Sequence, residues 1–443
     1  MDERLPLTAE DRAILDLESD EVAGHTLKVI RLEAPGVTVD QLKASVAERI
    51  GSAPELTRKL GGEPGAPFWM PDPDFDLDRH IAIHSNGEEV SNDEIHRATA
   101  ELLAERLDRA LPLWRIDVAP TTDGGTALIW RIHHVMADGT TAMRLARRIL
   151  WDQREVAGQT RGPSTSAGIG SPGARSDGPS TPGDSSHETS ADHKRRRRHI
   201  LGLYEREFSK SPSPSPFDGE IGKERTVSFA TVSLANLHDA AKSLAGATLN
   251  DAVLAVLSGT LRHWIEFHEG LQAESLRVKV PVSLHHGDDD AANRDSYFSV
   301  PLPLSEPDPL TRLKLITEAT GERKDDHDAE GLDAILRRAS RTSTRLGRLL
   351  TRTESSPRRF ALSVSNVKGP PGGVSVDGAP VETIHSVVEI GRHHALRIAV
   401  LSIDDRLCFG FCADPELVTD LDEMAAGAER EAAVLERIAA TEG

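Results

Sequence analysis

The first half of the chain combines two hydrophobic patterns, one typical of strands and one typical of helices. Four consecutive apolar residues at 127–130 predict a buried strand, and apolar positions recur at helical spacing through residues 143–150. Thr8, followed three residues later by Asp11, is typical of a helix start. In this half the pattern predicts helices at residues 9–17, 39–50 and 91–107 and strands at residues 26–31, 115–118 and 126–131.

The second half repeats this mixture. Val278 and Val280 alternate with polar neighbours, as in a strand with one buried face, whereas the apolar positions after Thr248 follow helical spacing. Strands are predicted at residues 226–233, 276–282, 360–367, 394–403 and 406–412, and helices at residues 249–264 and from Pro415 towards Ala440. Strands mixed with helices in both halves favour an α/β protein of two layered domains.

The composition changes abruptly between the two halves. Residues 156–193 are rich in Gly, Ser, Pro, Thr and Asp and contain almost no large apolar side chain, and residues 194–198 are all basic. Such a segment cannot bury enough apolar surface to offset its ordering entropy. We therefore predict an N-terminal domain at 1–155, a disordered linker at 156–198 and a C-terminal domain at 199–443. The basic run is either a solvated flank or a site of attraction to an anionic lipid surface.

The charge and the cysteines narrow the function and the location. A formal charge of −19 argues against binding to nucleic acid, because the phosphate backbone would be repelled. No apolar run reaches the length of a spanning helix, and the N-terminus lacks the pattern of a signal peptide. We expect a cytoplasmic protein whose membrane contact, if any, is peripheral.

Cys408 and Cys412 are expected to be buried thiols, since they lie too far apart along one strand for an easy disulfide.

Two histidines follow the predicted strand at 126–131, in the run Ile132-His133-His134-Val135-Met136-Ala137-Asp138-Gly139. Because side chains alternate along a strand, His133 and His134 should point in opposite directions, so that one can face a cavity. Taken alone, such a pair is more often a packing feature than a catalytic one. A metal site is not expected, because adjacent strand residues diverge and the sequence contains no helical His-x-x-x-His or Cys-x-x-Cys partner.

The pattern His133-His134-x-x-x-Asp138-Gly139 is the signature of the CoA-dependent acyltransferase superfamily. Four further motifs follow the same order as in one branch of it. They are Pro112-Leu113-Trp114, Asn250-Asp251, Pro281-Val282-Ser283 and Ser365-Asn366-Val367-Lys368-Gly369-Pro370. With them the chain resembles the bacterial wax ester synthase/diacylglycerol acyltransferase family over nearly its whole length. It departs from the family pattern in the segment after Ser283 and at Lys368.

The resemblance implies a fold, a reaction and a base. The fold would be two similar domains, each a mixed sheet flanked by helices, with a tunnel at their interface. The reaction would transfer a long acyl chain from acyl-CoA to a diacylglycerol or a fatty alcohol, with acyl-CoA as co-substrate, no cofactor and no covalent intermediate, at a membrane or lipid-droplet surface. The general base would be His134, onto which the second histidine of the family motif maps. This is consistent with the chemistry, since a histidine with a pKa near 7 is well matched to take the proton of an alcohol nucleophile.

Two alternatives remain open. One is a glycolipid or condensation-type acyltransferase of the same superfamily. The other is a catalytically silent relative that binds lipid.

The remaining motif residues have either structural or substrate-binding interpretations. His133 is expected to pack away from the substrate, Asp138 to stabilise the turn through a salt bridge, and Gly139 to permit the tight turn into the helix. The residues Pro112, Leu113 and Trp114 are expected either to pack in the core or to line an acyl channel, and Asp251 is expected to cap a helix. Contacts to the substrate or to the oxyanion are expected from Asn250, Ser283, Ser365 and Asn366.

Overall fold

The structure is a computed structural model that describes residues 4–63, 65–152, 215–270, 274–283, 295–325, 360–370 and 372–442. The described residues before 153 and after 203 belong to one compact unit. The predicted linker, its basic run at 194–198 and the predicted domain boundaries lie outside the described residues, so the domain assignment stays a prediction.

The first large sheet has six strands in the order β12-β13-β2-β7-β6-β5. Its strands are β2 His25–Leu32, β5 Ile81–Ile83, β6 Trp114–Pro120, β7 Thr126–His133, β12 Ser375–Val376 and β13 Ala379–Val388. The neighbouring strands are antiparallel except for β5 and β6. The predicted strands at 26–31, 115–118 and 126–131 are confirmed, and every residue of β7 is buried.

The first sheet also contains two strands from the second half of the chain, which the sequence analysis did not predict. Strand β13 pairs with β2 over most of its length, with Ser386 opposite Lys28. As a result, only β2 separates β13 from β7, the strand that leads into the histidine motif. The two halves of the chain are therefore joined by backbone hydrogen bonds as well as by side-chain packing.

The second large sheet is also mixed and has the order β10-β9-β11-β14-β15-β8. Its strands are β8 Thr226–Ser233, β9 Leu276–Ser283, β10 Asp295–Leu302, β11 Leu362–Lys368, β14 Leu396–Ile403 and β15 Arg406–Ala413. β11 runs parallel to both β9 and β14, and the other pairs are antiparallel. A smaller sheet consists of β1 Leu5–Pro6, β3 Arg58–Gly61 and β4 Phe68–Pro71.

Helices cover these sheets and begin at local capping signals. They are α1 Ala9–Leu15, α2 Val39–Arg49, α3 Asn92–Ala104, α4 Gly139–Ile149, α5 Leu234–Ala245, α6 Leu249–Glu269, α7 Pro309–Asp325 and α8 Leu421–Glu442. The predicted capping boxes of Thr8 with Asp11 and of Thr248 with Asp251 are confirmed, and the described residues contain two more, at Thr38 with Gln41 and at Ser91 with Glu94. Each satisfies backbone N–H groups that the first helical turn leaves without partners.

The predicted start of the last helix at Pro415 is wrong. The Asp414 carboxylate accepts hydrogen bonds from the backbone N–H groups of Glu416 and Leu417, which stabilises only a short turn. Asp420 then has a positive φ of 53°, which ends that turn, and the helix begins at Leu421.

The two sheets approach each other closely where β15 meets β13. A side chain at Gly410 would collide with the backbone oxygen of Ser386, so only glycine fits this position. Cys408 and Cys412, on the same face of β15, are free and buried, as predicted. Among the described residues no single helix is long and apolar enough to span a bilayer, although α5 and α6, bent by 94°, would pass such a test as a pair.

Candidate active site

The two histidines of the motif point in opposite directions at the end of β7, as the alternation of a strand requires. His133 is buried, and its Nδ1 accepts a hydrogen bond from the backbone N–H of Val135 at 3.0 Å. Its Nε2 therefore carries the proton and donates to Glu18 Oε1, also at 3.0 Å. Burial raises the pKa of Glu18, but hydrogen bonds from His133 and Arg109 outweigh it and lower that pKa. Both ring nitrogens of His133 are thus used within the protein.

The backbone of His134 is hydrogen-bonded within the protein, whereas its ring nitrogen Nε2 is available to another partner. Its N–H donates to the carbonyl oxygen of Gly24 at 3.1 Å. The side chain is half-buried, and its Nε2 is buried with no hydrogen-bond partner among the described residues. Burial, together with the positive charge of Arg397, lowers the pKa of His134 well below 6.5. The imidazole is therefore neutral near pH 7 and able to accept a proton.

Gly24 also shapes the site, although the motifs in the sequence do not include it. Its φ of +79° is a conformation that side chains rarely adopt. A Cβ atom there would lie 2.7 Å from Nε2 of His133. Gly24 therefore lets the chain pass close to His133 while its carbonyl oxygen holds His134.

Asp138 stabilises the turn after the histidines as the N-cap of α4. Its carboxylate accepts a hydrogen bond from the backbone N–H of Thr141 at 2.6 Å. The sequence analysis expected a salt bridge here, and the structure places the buried side chain of Lys28 close enough for the two charges to interact. Burial lowers the pKa of Lys28 to about 8, while the negative charge of Asp138 acts to raise it. Lys28 also donates a hydrogen bond to Ser386 Oγ at 2.5 Å.

Gly139 brings α4 against the second sheet. A Cβ atom at this position would lie 2.8 Å from Cγ2 of Val367 on β11. Gly139 is not among the glycines with a positive φ, so the turn itself would accept another residue. The glycine is needed for the close approach to Val367 and not for the turn. The motif of the first sheet thus packs directly on β11 of the second.

The predicted substrate residues of the second half differ in their surroundings. Ser365 is half-buried on β11, and its Oγ is buried without a partner in the described part of the chain. Asn366, the next residue, is exposed, and Asn250 is half-buried in the first turn of α6. Ser283 ends β9, and its side chain lies outside the described residues. The structure therefore brings Ser365 to the motif, since Ser365 shares a strand face with Val367.

Two other predicted motifs have structural contacts. Pro112, Leu113 and Trp114 are all buried, which favours packing over lining of a channel. The Trp114 ring stacks on His80 at 4.6 Å, and its Nε1 donates to the carbonyl oxygen of Leu56 at 2.7 Å. Asp251 closes its capping box and accepts a hydrogen bond from Thr320 Oγ1 at 2.6 Å. Among the described residues, no group of three or more His, Cys, Asp and Glu side chains is placed to hold a metal ion.

The free energy of unfolding is expected to fall as the pH drops below 6.5, because His25 and His385 are buried as neutral rings. Burial is the main cause that lowers the pKa of each from 6.5 to about 3. The unfolded chain then binds protons that the folded chain does not, so each histidine costs about 1.4 kcal/mol per pH unit between these two values. Glu389 has the opposite effect on the pH dependence of stability. Burial raises its pKa to about 6, so its contribution to the free energy of unfolding is lost as the pH rises through that value.

Denaturant titrations at a series of pH values between neutral and acid measure this slope. His385→Gln should flatten it, whereas His393→Gln, at an exposed position, should leave it unchanged. A stability that does not depend on pH over this range would contradict the burial of neutral histidines.

The fold, in which two mixed sheets meet, belongs to a class of folds that acyltransferases and condensation domains share. A wax ester synthase/diacylglycerol acyltransferase from Marinobacter aquaeolei VT8 matches with a TM-score of 0.70 at 21% identity, over 98% of this chain and 100% of that chain. The first condensation domain of the CDA synthetase matches with a TM-score of 0.61 at 16% identity, over 99% and 96%. These likenesses confirm the predicted two-part α/β architecture.

Sequence comparison places the chain within this class. The family model of the wax ester synthase/diacylglycerol acyltransferase catalytic domain matches residues 7–253, and that of the family's C-terminal domain matches residues 291–436. The chain therefore belongs to the wax ester synthase/diacylglycerol acyltransferase family, as the motifs predicted.

Curated relatives match along most of their length. A probable diacylglycerol O-acyltransferase of Mycobacterium tuberculosis is 29% identical over 93% of this chain and 92% of its own. The O-acyltransferase WSD of Acinetobacter baylyi is 28% identical over 98% of both chains.

Proposed function

We propose that this enzyme transfers a long acyl chain from acyl-CoA to the hydroxyl group of a diacylglycerol or a fatty alcohol, with His134 as the general base. The observation that carries the proposal is the neutral ring of His134. Its Nε2 is buried and has no hydrogen-bond partner among the described residues. The name of the Mycobacterium tuberculosis relative supports diacylglycerol as an acceptor, and the family's name supports a fatty alcohol as well.

The proposed reaction needs one proton carrier and no covalent enzyme intermediate. The acceptor hydroxyl attacks the thioester carbonyl carbon while His134 Nε2 takes its proton, and the carbonyl π electrons move to oxygen. The tetrahedral intermediate then re-forms the carbonyl and breaks the C–S bond. His134 returns the proton to the departing CoA thiolate, so the base is regenerated. Such a base contributes about 10² to 10⁴ in rate.

The other parts of the proposal follow from the same chemistry. Acyl-CoA is a co-substrate, and no cofactor takes part in any of these steps. Both acceptors are lipids, which supports contact with a membrane or lipid-droplet surface at which they are dissolved. A tunnel between the two sheets would let donor and acceptor reach His134 from opposite sides.

The function is tested with the purified full chain and labelled palmitoyl-CoA. Hexadecanol and diolein are offered in parallel, each in mixed micelles, and labelled wax ester and triacylglycerol are separated and counted. We expect product with at least one acceptor and release of free CoA in equal amount. Absence of product with both acceptors would overturn the proposal and favour a silent lipid-binding relative. CoA release without an acceptor product would point to thioester hydrolysis.

A further inference from the structure

Among the buried polar atoms without hydrogen-bond partners in the described residues, three lie on the motif or on the face of the second sheet that meets it. They are Nε2 of His134, Oγ of Ser365 and Nε of Arg397. Most buried polar groups in folded proteins are hydrogen-bonded, so each exception calls for an explanation. Here the three atoms are one proton acceptor and two hydrogen-bond donors, the set that an acyl-transfer reaction requires.

The register of the second sheet places the two donors side by side. Arg397 on β14 lies opposite Ser363 on β11, and Ser365 lies two residues further along β11, opposite Ala399. Residues two apart on a strand, and residues directly opposite on neighbouring strands, share one face of the sheet. Arg397 and Ser365 therefore belong to the same face.

That face is directed at the histidine motif. Val367 is two residues after Ser365 on the same face of β11. It packs so closely on Gly139 of the motif that a side chain at that glycine would collide with it. Arg397 is half-buried, and its positive charge is close enough to His134 to disfavour protonation of that ring. Ser365 lies between these two contact points on the sheet.

The guanidinium of Arg397 is fixed in place, and no hydrogen bond joins it to a carboxylate among the described residues, although the negative charge of Glu389 acts on it. Its Nη1 donates to the backbone oxygen of Glu389 at 3.0 Å. The carboxylate of Glu389 is engaged elsewhere, since it accepts hydrogen bonds from Arg225 Nε and from the backbone N–H of Ala23, both at 3.0 Å. A buried cation of this kind costs free energy unless an anion, permanent or developing, comes to it.

We propose that Arg397 is a further catalytic residue and that its Nε–H, with the hydroxyl of Ser365, binds the carbonyl oxygen of the acyl thioester. As the acceptor oxygen forms its bond to the carbonyl carbon, that oxygen gains the π electron pair and becomes an oxyanion. Two donors then stabilise the oxyanion until the C–S bond breaks and the pair returns to the carbonyl. This inference rests on the proposed acyl transfer, and it adds a charged donor to the site.

Replacement of Arg397 by glutamine tests the proposal in the acyltransfer assay. We expect kcat to fall about 10² to 10³-fold, the loss that follows removal of one oxyanion donor, while KM for both substrates stays nearly unchanged. Arg397→Lys should retain part of the activity. Arg397→Ala should regain activity on addition of guanidinium at concentrations that leave the protein folded. The matched control is Arg392→Gln, at an exposed arginine five residues earlier.

The outcomes separate catalysis from structure. A kcat for Arg397→Gln within about threefold of the wild type would overturn the proposal. So would a loss of activity that parallels a fall in melting temperature and is not restored by guanidinium. Wild-type protein that fails with every acceptor would overturn the proposed function, and this inference with it. An active wild type beside an unaffected variant would overturn the inference alone.

Discussion

His134→Ala is expected to lower kcat by about 10² to 10⁴-fold while the protein stays folded. The ring nitrogen that would take the acceptor proton is lost, and no hydrogen bond within the described residues depends on it. The backbone bond from His134 to Gly24 is kept, so the turn should survive the change. Steady-state kinetics and thermal unfolding of the purified variant measure both effects.

Two other histidines provide contrasting controls. His133→Ala removes a buried ring whose two nitrogens bond Glu18 and Val135, so we expect a lower melting temperature as well as lower activity. His393→Ala replaces an exposed histidine and should change neither. A folded His134→Ala variant with near wild-type turnover would exclude His134 as the base.

The pH dependence of kcat/KM gives a second measure of the same residue. A base whose pKa is lowered by burial stays unprotonated down to pH values well below 6.5, so activity should be lost only as the pH falls through that lowered value. An acid limb centred at or above 6.5 would mean that the environment of His134 does not suppress its protonation.

Much of the fold could be predicted because its signals are local. The Thr248 and Asp251 capping box needs only four residues of sequence, and the opposite directions of His133 and His134 follow from the alternation of one strand. Strand β13 was missed because His385 and Ser386 interrupt its apolar pattern. Those polar residues are buried against segments far away in the sequence, since His385 stacks on Phe229 and Ser386 accepts a hydrogen bond from Lys28, and local periodicity does not contain such contacts.

The charges around the site were missed for a related physical reason. Lys28 alternates with Leu27 and Val29, a pattern that places it on the solvent side of a strand with one buried face. The structure covers that side too, because β2 lies inside a sheet that packs against the second sheet through β13. Arg397 on β14 is a second case. The sequence predicts the base, whereas the cations near it depend on how the two sheets meet.

Glu389→Ala is expected to lower the free energy of unfolding by about 3–5 kcal/mol, because it leaves the buried guanidinium of Arg225 without its carboxylate. The two side chains are joined at 3.0 Å and are 4% and 0% exposed. Arg225 also donates to the carbonyl oxygen of Glu21, so this pair fastens the segment that leads to Gly24. Denaturant or thermal unfolding near neutral pH, where the carboxylate is ionised, measures the loss.

A matched control lies on the adjoining strand. Glu382, on β13, forms an ion pair with Arg406 at 3.2 Å, but its side chain is 39% exposed, so Glu382→Ala should cost no more than about 1 kcal/mol. The two variants remove the same group from the same kind of pair and differ mainly in burial. Equal losses would show that burial does not set the strength of the Glu389 interaction. A Glu389→Ala variant that unfolds like the wild type would show that the segment before Gly24 is held by other contacts.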